Sequence, residues 1–385
     1  MSDTKRALGG KILTGPFLLL AVLFCIGTYF GIMRLVLGIG GVTNLNAGYP
    51  WGIWIAVDVV VATALGCGGF AMALLVYILN RNRYHRLMRP ALMASLFGYT
   101  LAGISVMFDL GRYWQFYNLM LPWYAQPNSV LFEVALCIMA YVLVLWIEII
   151  PTFLDSAGQV AKAKAIRSWM WLLMALGVLL PTMHQSSLGS MLLVLGSQLS
   201  PLWHTTWLPL LYLISAIAMG YGVVMLESTL VTNAFRLPSE QRILGRLSPI
   251  VASLLALFLA IRLADIAVSG HAGLLFAGDS DALLFGIETL LFLGATLLLA
   301  SPQGRRNQRL MFLAAVAMLS AGTLYRINGY LIAYNPGNGW TYFPAVGELM
   351  VTIGIFAAEI MLYLIFIKKL PVLSGVRVRP TGQEA

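Results

Sequence analysis

Charge is what this chain lacks most. Only 10% of its 385 residues are Asp, Glu, Lys or Arg, against 60% hydrophobic. A soluble domain carries about 25% charged residues. So little charge cannot cover a water-facing surface, which leaves an integral membrane protein. Cysteine is scarce too. Cys25, Cys67 and Cys137 all lie in apolar runs, with no CxxC spacing. That argues against a disulfide framework, a zinc site and an iron–sulfur cluster in this chain, and for small core residues. Histidine is limited to His85, His184, His204 and His271, three of them in or beside loops. A bis-histidine haem wants two imidazoles at depth, so haem is not expected. A His/Met haem stays open, because the chain has 18 Met. The net charge of +9 would suggest nucleic acid in a soluble protein. Its placement in short loops points to membrane orientation instead, and no nucleic-acid partner is expected.

Apolar runs of about 20 residues or more mark spans. Ten are expected, over 16–38, 51–79, 90–110, 129–150, 168–196, 206–232, 248–269, 281–300, 309–334 and 343–367. The run at 16–38 has no cleavage signature after it and reads as a retained helix. Twenty of the 24 basic residues fall on one side of a ten-span chain: Lys5, Arg6 and Lys11, then Arg81 to Arg89, Lys162 to Arg167, Arg236 to Arg246, Arg305 to Arg309, and Lys368 to Arg379. The positive-inside rule makes that side cytoplasmic, with both termini inside and 368–385 as a cytoplasmic tail. Arg34, Arg112, Arg262 and Arg326 lie near the opposite ends of spans and need another explanation. The opposite loops are rich in Trp, Tyr, Pro, Gly and Asn, as in YNPGNGWTYFP (334–344). They read as an interfacial aromatic belt and a weakly charged surface for a partner.

Ionisable residues inside spans are costly and mark function. Near the outer third lie Asp58, Asp109, Arg112, Glu133, His184, Arg262, Asp265, Glu288, Arg326 and Glu348. Deeper come Glu359, Glu227 and Glu148, the last two also readable as carboxylates near the inner headgroups. Asp109–Arg112 and Arg262–Asp265 are spaced i,i+3, so each pair can neutralise itself on one face. Asp58, Glu133, Glu288 and Glu359 must find partners on other helices or be protonated. The stretch PTMHQSSLGSM (181–191) concentrates polar groups between apolar flanks. Pro181 permits a kink, Gly189 a close helix approach, and His184 with Gln185 a hydrogen-bonding wall.

The acids also repeat. Asp109 to Glu133 spans 24 residues and Asp265 to Glu288 spans 23, four spans apart. That predicts an all-α polytopic fold, one integral membrane domain over 1–385. It holds two parallel-repeat four-helix bundles, 51–196 and 206–334, with 16–38 and 343–367 flanking. A pocket of His, Asp and Trp at lipid depth suits a quinone, whose two oxygens take two protons on reduction. Carboxylate chains suit a proton path. A proton-coupled secondary transporter and a haem b cytochrome are the alternatives.

The stretches YPWGIWIAVD (49–58), RPALMASLFGY (89–99), DLGRYW (109–114), NSVLFE (128–133), LLPTMHQSSLGSM (179–191), FAGD (276–279) and YNPGNGWTYFP (334–344) resemble the NrfD/polysulfide-reductase membrane-subunit family. Within it they resemble the HybB-type membrane subunits of nickel–iron hydrogenase-2. The resemblance implies an inner-membrane, quinone-reactive subunit. It would take electrons from a periplasmic ferredoxin-like iron–sulfur subunit, with the [NiFe] hydrogenase large and small subunits beyond, and pass them to menaquinone or ubiquinone. It places the quinone pocket on Trp54, Asp58, Arg112, Glu133, His184 and Gln185. Asp109, Glu148, Glu227, Asp265, Glu288, Glu348 and Glu359 are left for a proton path.

Overall fold

The computed structural model describes residues 7–373. The ends of the expected N-terminal and C-terminal basic segments, including Lys5, Arg6, Arg377 and Arg379, lie outside them. The chain is helical, and among the described residues it forms no strand, only an isolated antiparallel bridge between Leu199 and Tyr334. Ten long helices follow in order. They are α1 (Gly15–Leu37), α2 (Trp54–Ile78), α3 (His85–Asp109), α4 (Val130–Ser156) and α5 (Met170–Val194). Then come α6 (Leu208–Ala234), α7 (Gln241–Val268), α8 (Ser280–Ala300), α9 (Gln308–Ile332) and α10 (Val346–Lys369). Among the described residues, nine are apolar and long enough to cross a membrane by themselves. The tenth, α5, counts when joined to the short helix Val160–Arg167.

Several helices outrun the apolar stretches that announced them. α3 begins at His85 rather than 90, α7 at Gln241 rather than 248, and α4 continues to Ser156. Hydropathy measures the hydrocarbon layer, whereas backbone hydrogen bonding continues into the headgroup region, where Arg86, Arg89 and Arg242 are at home. α5 runs through Pro181 without a break, and a 53° bend sits just before α5, after Arg167.

Helix contacts fall into two rings. In one, α2 touches α3, α3 touches α4, α4 touches α5, and α5 returns to α2. In the other, α6, α7, α8 and α9 neighbour one another in the same way. The rings share a seam where α2 meets α6 and α9, and α5 meets α6. α1 packs chiefly on α10, and α10 leans on α2 and α3. α2 is therefore central. Of its most apolar window 89% is buried, against 17% for α1. Gly189 makes the α5–α6 contact possible: a Cβ there would lie 2.4 Å from the Leu208 carbonyl oxygen. Cys67 and Cys137 are buried as expected, while Cys25 faces outward on α1.

α2 is irregular. Trp54–Val61 and Leu74–Ile78 are π-helical, and the α9 segment Asn328–Ile332 is too. π turns widen the helix and gather at functional sites. At the end opposite the basic loops, the connections are stitched together. Ser200 N donates to the Ala333 carbonyl (2.9 Å), Asn335 N to that of Gln198 (2.8 Å), and Trp51 Nε1 to that of Tyr330 (2.9 Å).

Candidate functional site

Three buried polar clusters arise where these helices meet. The first lies near the end opposite the basic loops, between α2, α3 and α10. Asp58 is fully buried on the first π segment. Its Oδ2 accepts from Thr352 Oγ1 of α10 at 3.2 Å, and its Oδ1 has no partner. One turn earlier, Trp54 Nε1 donates to the Glu348 carbonyl at 3.2 Å, and its indole meets Phe108 with ring centroids 6.0 Å apart. Glu348 opens α10 and holds the loops opposite the basic end. Its carboxylate accepts from Ala345 N (2.7 Å), Asn44 N (3.0 Å) and the Tyr342 hydroxyl (2.6 Å). A carboxylate suits a helix N-terminus, where backbone N–H groups are free. Burial, then the bond to Glu348, push the Tyr342 hydroxyl above its ordinary range. Asp109 is close enough to Asp58, Glu348 and Arg34 to feel their charges, and its Oδ1 is also unpartnered.

Beside this cluster runs an apolar groove of about 510 Å³ between α1, α3 and α10. Phe108, Val351 and Ile355 line it, and all three belong to or pack on the hydrophobic cluster that holds Ile53 and Trp54. The Trp54 indole thus backs onto this groove through Phe108, and Thr352, the partner of Asp58, follows the groove-lining Val351 on α10.

The second cluster lies deeper, on the α2 positions facing α5 and α9. His184 is fully buried. Its Nδ1 is 3.0 Å from the Leu180 carbonyl and its Nε2 is 2.9 Å from the Tyr99 hydroxyl. A carbonyl only accepts, so Nδ1 carries the proton and Nε2 is the acceptor. Tyr99 O–H then donates to His184, and Cys67 Sγ, at 3.4 Å, donates to Tyr99. Gln185 Nε2 reaches both Thr63 Oγ1 (3.1 Å) and His184 Nε2 (3.0 Å). Its Oε1 accepts from Arg326 at 3.2 Å. Arg326 is fully buried and, among the described residues, forms no ion pair. It donates instead to the Val60 carbonyl (3.1 Å), the Tyr212 carbonyl (3.1 Å) and Ser215 Oγ (3.0 Å), and lies 5.0 Å from the centre of the Tyr212 ring. The widened turn of α2 makes the Val60 carbonyl available to a side chain on another helix.

The third cluster belongs to α7, α8 and α9. Arg262 pairs with Glu288, both buried, and Glu288 also accepts from Asn328 Nδ2 (2.9 Å) and Trp203 Nε1 (3.3 Å). Phe285 and Tyr325 flank the guanidinium at 4.1 and 4.9 Å from their ring centres.

The expected site residues therefore separate. Trp54 and Asp58 share the first cluster with Asp109 and Glu348. His184 and Gln185 share the second, level with Thr63 rather than Asp58. Arg112 is exposed at the rim, and Glu133 is half-buried without a hydrogen bond or ion pair among the described residues. Neither i,i+3 pair forms. Arg262 reaches across to Glu288, because a buried guanidinium gains more from a buried carboxylate than from half-exposed Asp265. Arg34 of α1 takes the place expected of Arg112, donating to the Phe108 and Leu110 carbonyls at the end of α3 (2.6 and 2.5 Å). Nearer the basic end, half-buried Glu227 accepts from the Tyr363 hydroxyl. Glu359 faces Gly98, where a Cβ would meet its Oε1 at 3.1 Å, and Glu148 faces Gly177 at 3.5 Å by the same measure. Tyr99, Thr63, Thr352 and Tyr363 were not singled out from the sequence. Thr352 and Tyr363 follow Glu348 and Glu359 by four residues each, the spacing of one helix face.

The family model described as "Polysulphide reductase, NrfD" matches residues 41–334. The chain is 40% identical over 380 residues, 98% of its length and 97% of the relative's, to the "Probable Ni/Fe-hydrogenase 2 b-type cytochrome subunit" of Escherichia coli strain K12. It is 31% identical over 259 residues, 63% of this chain and 60% of the relative, to the "Menaquinone reductase, integral membrane subunit" of Nitratidesulfovibrio vulgaris.

Proposed function

This chain belongs to the NrfD family of multi-pass membrane proteins, and from that premise we propose that it is the quinone-reactive subunit of a respiratory hydrogenase complex in the inner membrane. The observation that carries the reading is Asp58: a fully buried carboxyl with one unpartnered oxygen, bonded to Thr352 beside the groove-lining Val351. A buried polar atom without a partner calls for an explanation, and a quinone oxygen supplies one. The isoprenoid tail lies in the groove between α1, α3 and α10, and the ring enters past Phe108 toward Trp54. Two electrons and two protons convert quinone to quinol. Asp58 supplies a proton to one oxygen, and Thr352 orients the carboxyl. The relatives named for menaquinone reductase and hydrogenase 2 support this substrate and this assembly.

Electrons arrive from an iron–sulfur partner on the outer loops. Asp58 lies seven residues in from Trp51, roughly 10 Å along the helix. The stitched, weakly charged outer surface is suited to docking such a partner. Protons are replaced along α10, whose Thr352, Glu359 and Tyr363 fall on one face over eleven residues, roughly 17 Å, while Glu348 is held by the loop groups that donate to it. Tyr363 hands on to Glu227 near the basic end. Glu288 stands outside this line, held by Arg262.

A bis-histidine haem does not fit these residues. His184 has both ring nitrogens engaged by protein groups, and His85, His204 and His271 lie in or beside loops and are exposed or half-buried. The test uses the purified complex. Asp58→Asn should abolish hydrogen-dependent quinol formation while hydrogen oxidation with a soluble dye acceptor continues. Unchanged quinol formation in that variant rejects Asp58 as the proton donor. A wild-type complex that reduces dye and no quinone rejects the function itself.

A further inference from the structure

At the opposite end of the molecule, Arg81, Arg83, Arg246 and Arg305 converge with Tyr84 and Ile250 around an open pocket of about 410 Å³. The two α2–α3 loop arginines face the start of α7 and the corner Pro302–Arg306 between α8 and α9, so the pocket straddles both helix rings. It has a fixed floor. Gln241 Nε2 donates to the Arg305 carbonyl at 3.1 Å, and a Cβ on Gly245 would lie 2.7 Å from that oxygen, so α7 abuts the corner directly. Among the described residues no carboxylate lines the pocket. Arg305 bonds the Ala300 carbonyl, yet its Nε is buried and without a partner. By contrast, Arg167 in a neighbouring basic loop is neutralised by Asp155. Four guanidinium groups held together without an acid repel one another unless an anion joins them.

We propose that this pocket binds the headgroup of an anionic phospholipid, with the two-phosphate headgroup of cardiolipin as its best match. Planar guanidinium groups bond phosphate oxygens in pairs, and basic pockets between transmembrane helices on the cytoplasmic side suit such headgroups. A free phosphate would use the arginines alone. A lipid also uses the apolar wall: Pro249 and Ile250 lie one turn below Arg246 on α7, toward the hydrocarbon, where acyl chains run. The bound lipid ties the α2–α3 loop to α7 and α9.

The test uses the full-length chain, purified and stripped of lipid in mild detergent. Native mass spectrometry and thermal unfolding are followed with added cardiolipin, phosphatidylglycerol, phosphatidylcholine or inorganic phosphate. Cardiolipin should bind and raise the melting temperature most, phosphatidylglycerol less, and phosphatidylcholine not at all. Arg83→Gln/Arg246→Gln should weaken cardiolipin binding roughly tenfold or more, while Lys162→Gln/Lys164→Gln in another basic loop should leave it unchanged. If the double variant folds poorly, Arg81→Gln in the exposed loop should show the same loss in smaller measure. Equal binding by the wild-type, Arg81→Gln and Arg83→Gln/Arg246→Gln proteins would overturn the site. Stabilisation by inorganic phosphate equal to that by cardiolipin would overturn the lipid and leave a free-anion site.

Discussion

Asp58 and Glu288 are both fully buried acids on long apolar helices, and they have opposite surroundings. Glu288 is closed off. Arg262, Asn328 and Trp203 occupy both of its oxygens, and Phe285 and Tyr325 flank the arginine. Asp58 is left half-made, with Thr352 on one oxygen and nothing on the other. A carboxylate with donors on both oxygens is already compensated, whereas one with a bare oxygen still gains from a new partner. The comparison separates an acid that holds helices together from an acid proposed to work.

The sharpest way to break it is to remove Glu288. Glu288→Ala strands Arg262 in the interior and should cost about 3–5 kcal/mol, read as a large fall in the melting temperature of the detergent-solubilised chain. A small fall would erase the contrast. Next comes Asp58→Asn. The variant should melt within about 1 kcal/mol of wild type but form quinol at least about 100-fold more slowly, the usual scale of a lost acid–base group. A smaller effect belongs to Tyr342→Phe, which deletes the hydrogen bond to Glu348 and the one its hydroxyl accepts from Ile53 N (3.0 Å), and should cost about 1–2 kcal/mol in thermal unfolding. Because the folded Tyr342 hydroxyl resists ionisation, its contribution is complete below its ordinary pKa of 10.0 and is lost as pH rises beyond that toward its raised folded value. Wild type should therefore lose stability above pH 10, and Tyr342→Phe should lose less. Smallest is Arg112→Gln. Arg112 is exposed, so the melting temperature should shift by less than the equivalent of about 0.5 kcal/mol. A large loss there would restore Arg112 to the site.

The ten spans were legible because hydrocarbon imposes its length on composition. The buried acids were legible because charge is expensive there. Their partners were not. Sequence spacing puts Arg262 beside Asp265, yet Glu288 lies on the next helix, and only packing reveals that it is nearer in energy. Likewise His184 and Gln185 stand out in PTMHQSSLGSM, but Tyr99 sits unremarked in RPALMASLFGY and Thr63 in VVVATAL. Nor does a run of Val and Ala announce that α2 will widen into a π turn and offer the Val60 carbonyl to Arg326.

That arginine also bears on the order in which the protein is made. Ribosomes deliver α2, α5 and α6 well before residue 326. Until it arrives, the amide of Gln185, the hydroxyl of Ser215 and the carbonyls of Val60 and Tyr212 wait without it in the lipid. The early helices can insert, but their final fit is sealed only by a late one. A nascent chain cut short before α9 would be left ajar, in a form that membrane proteases can recognise.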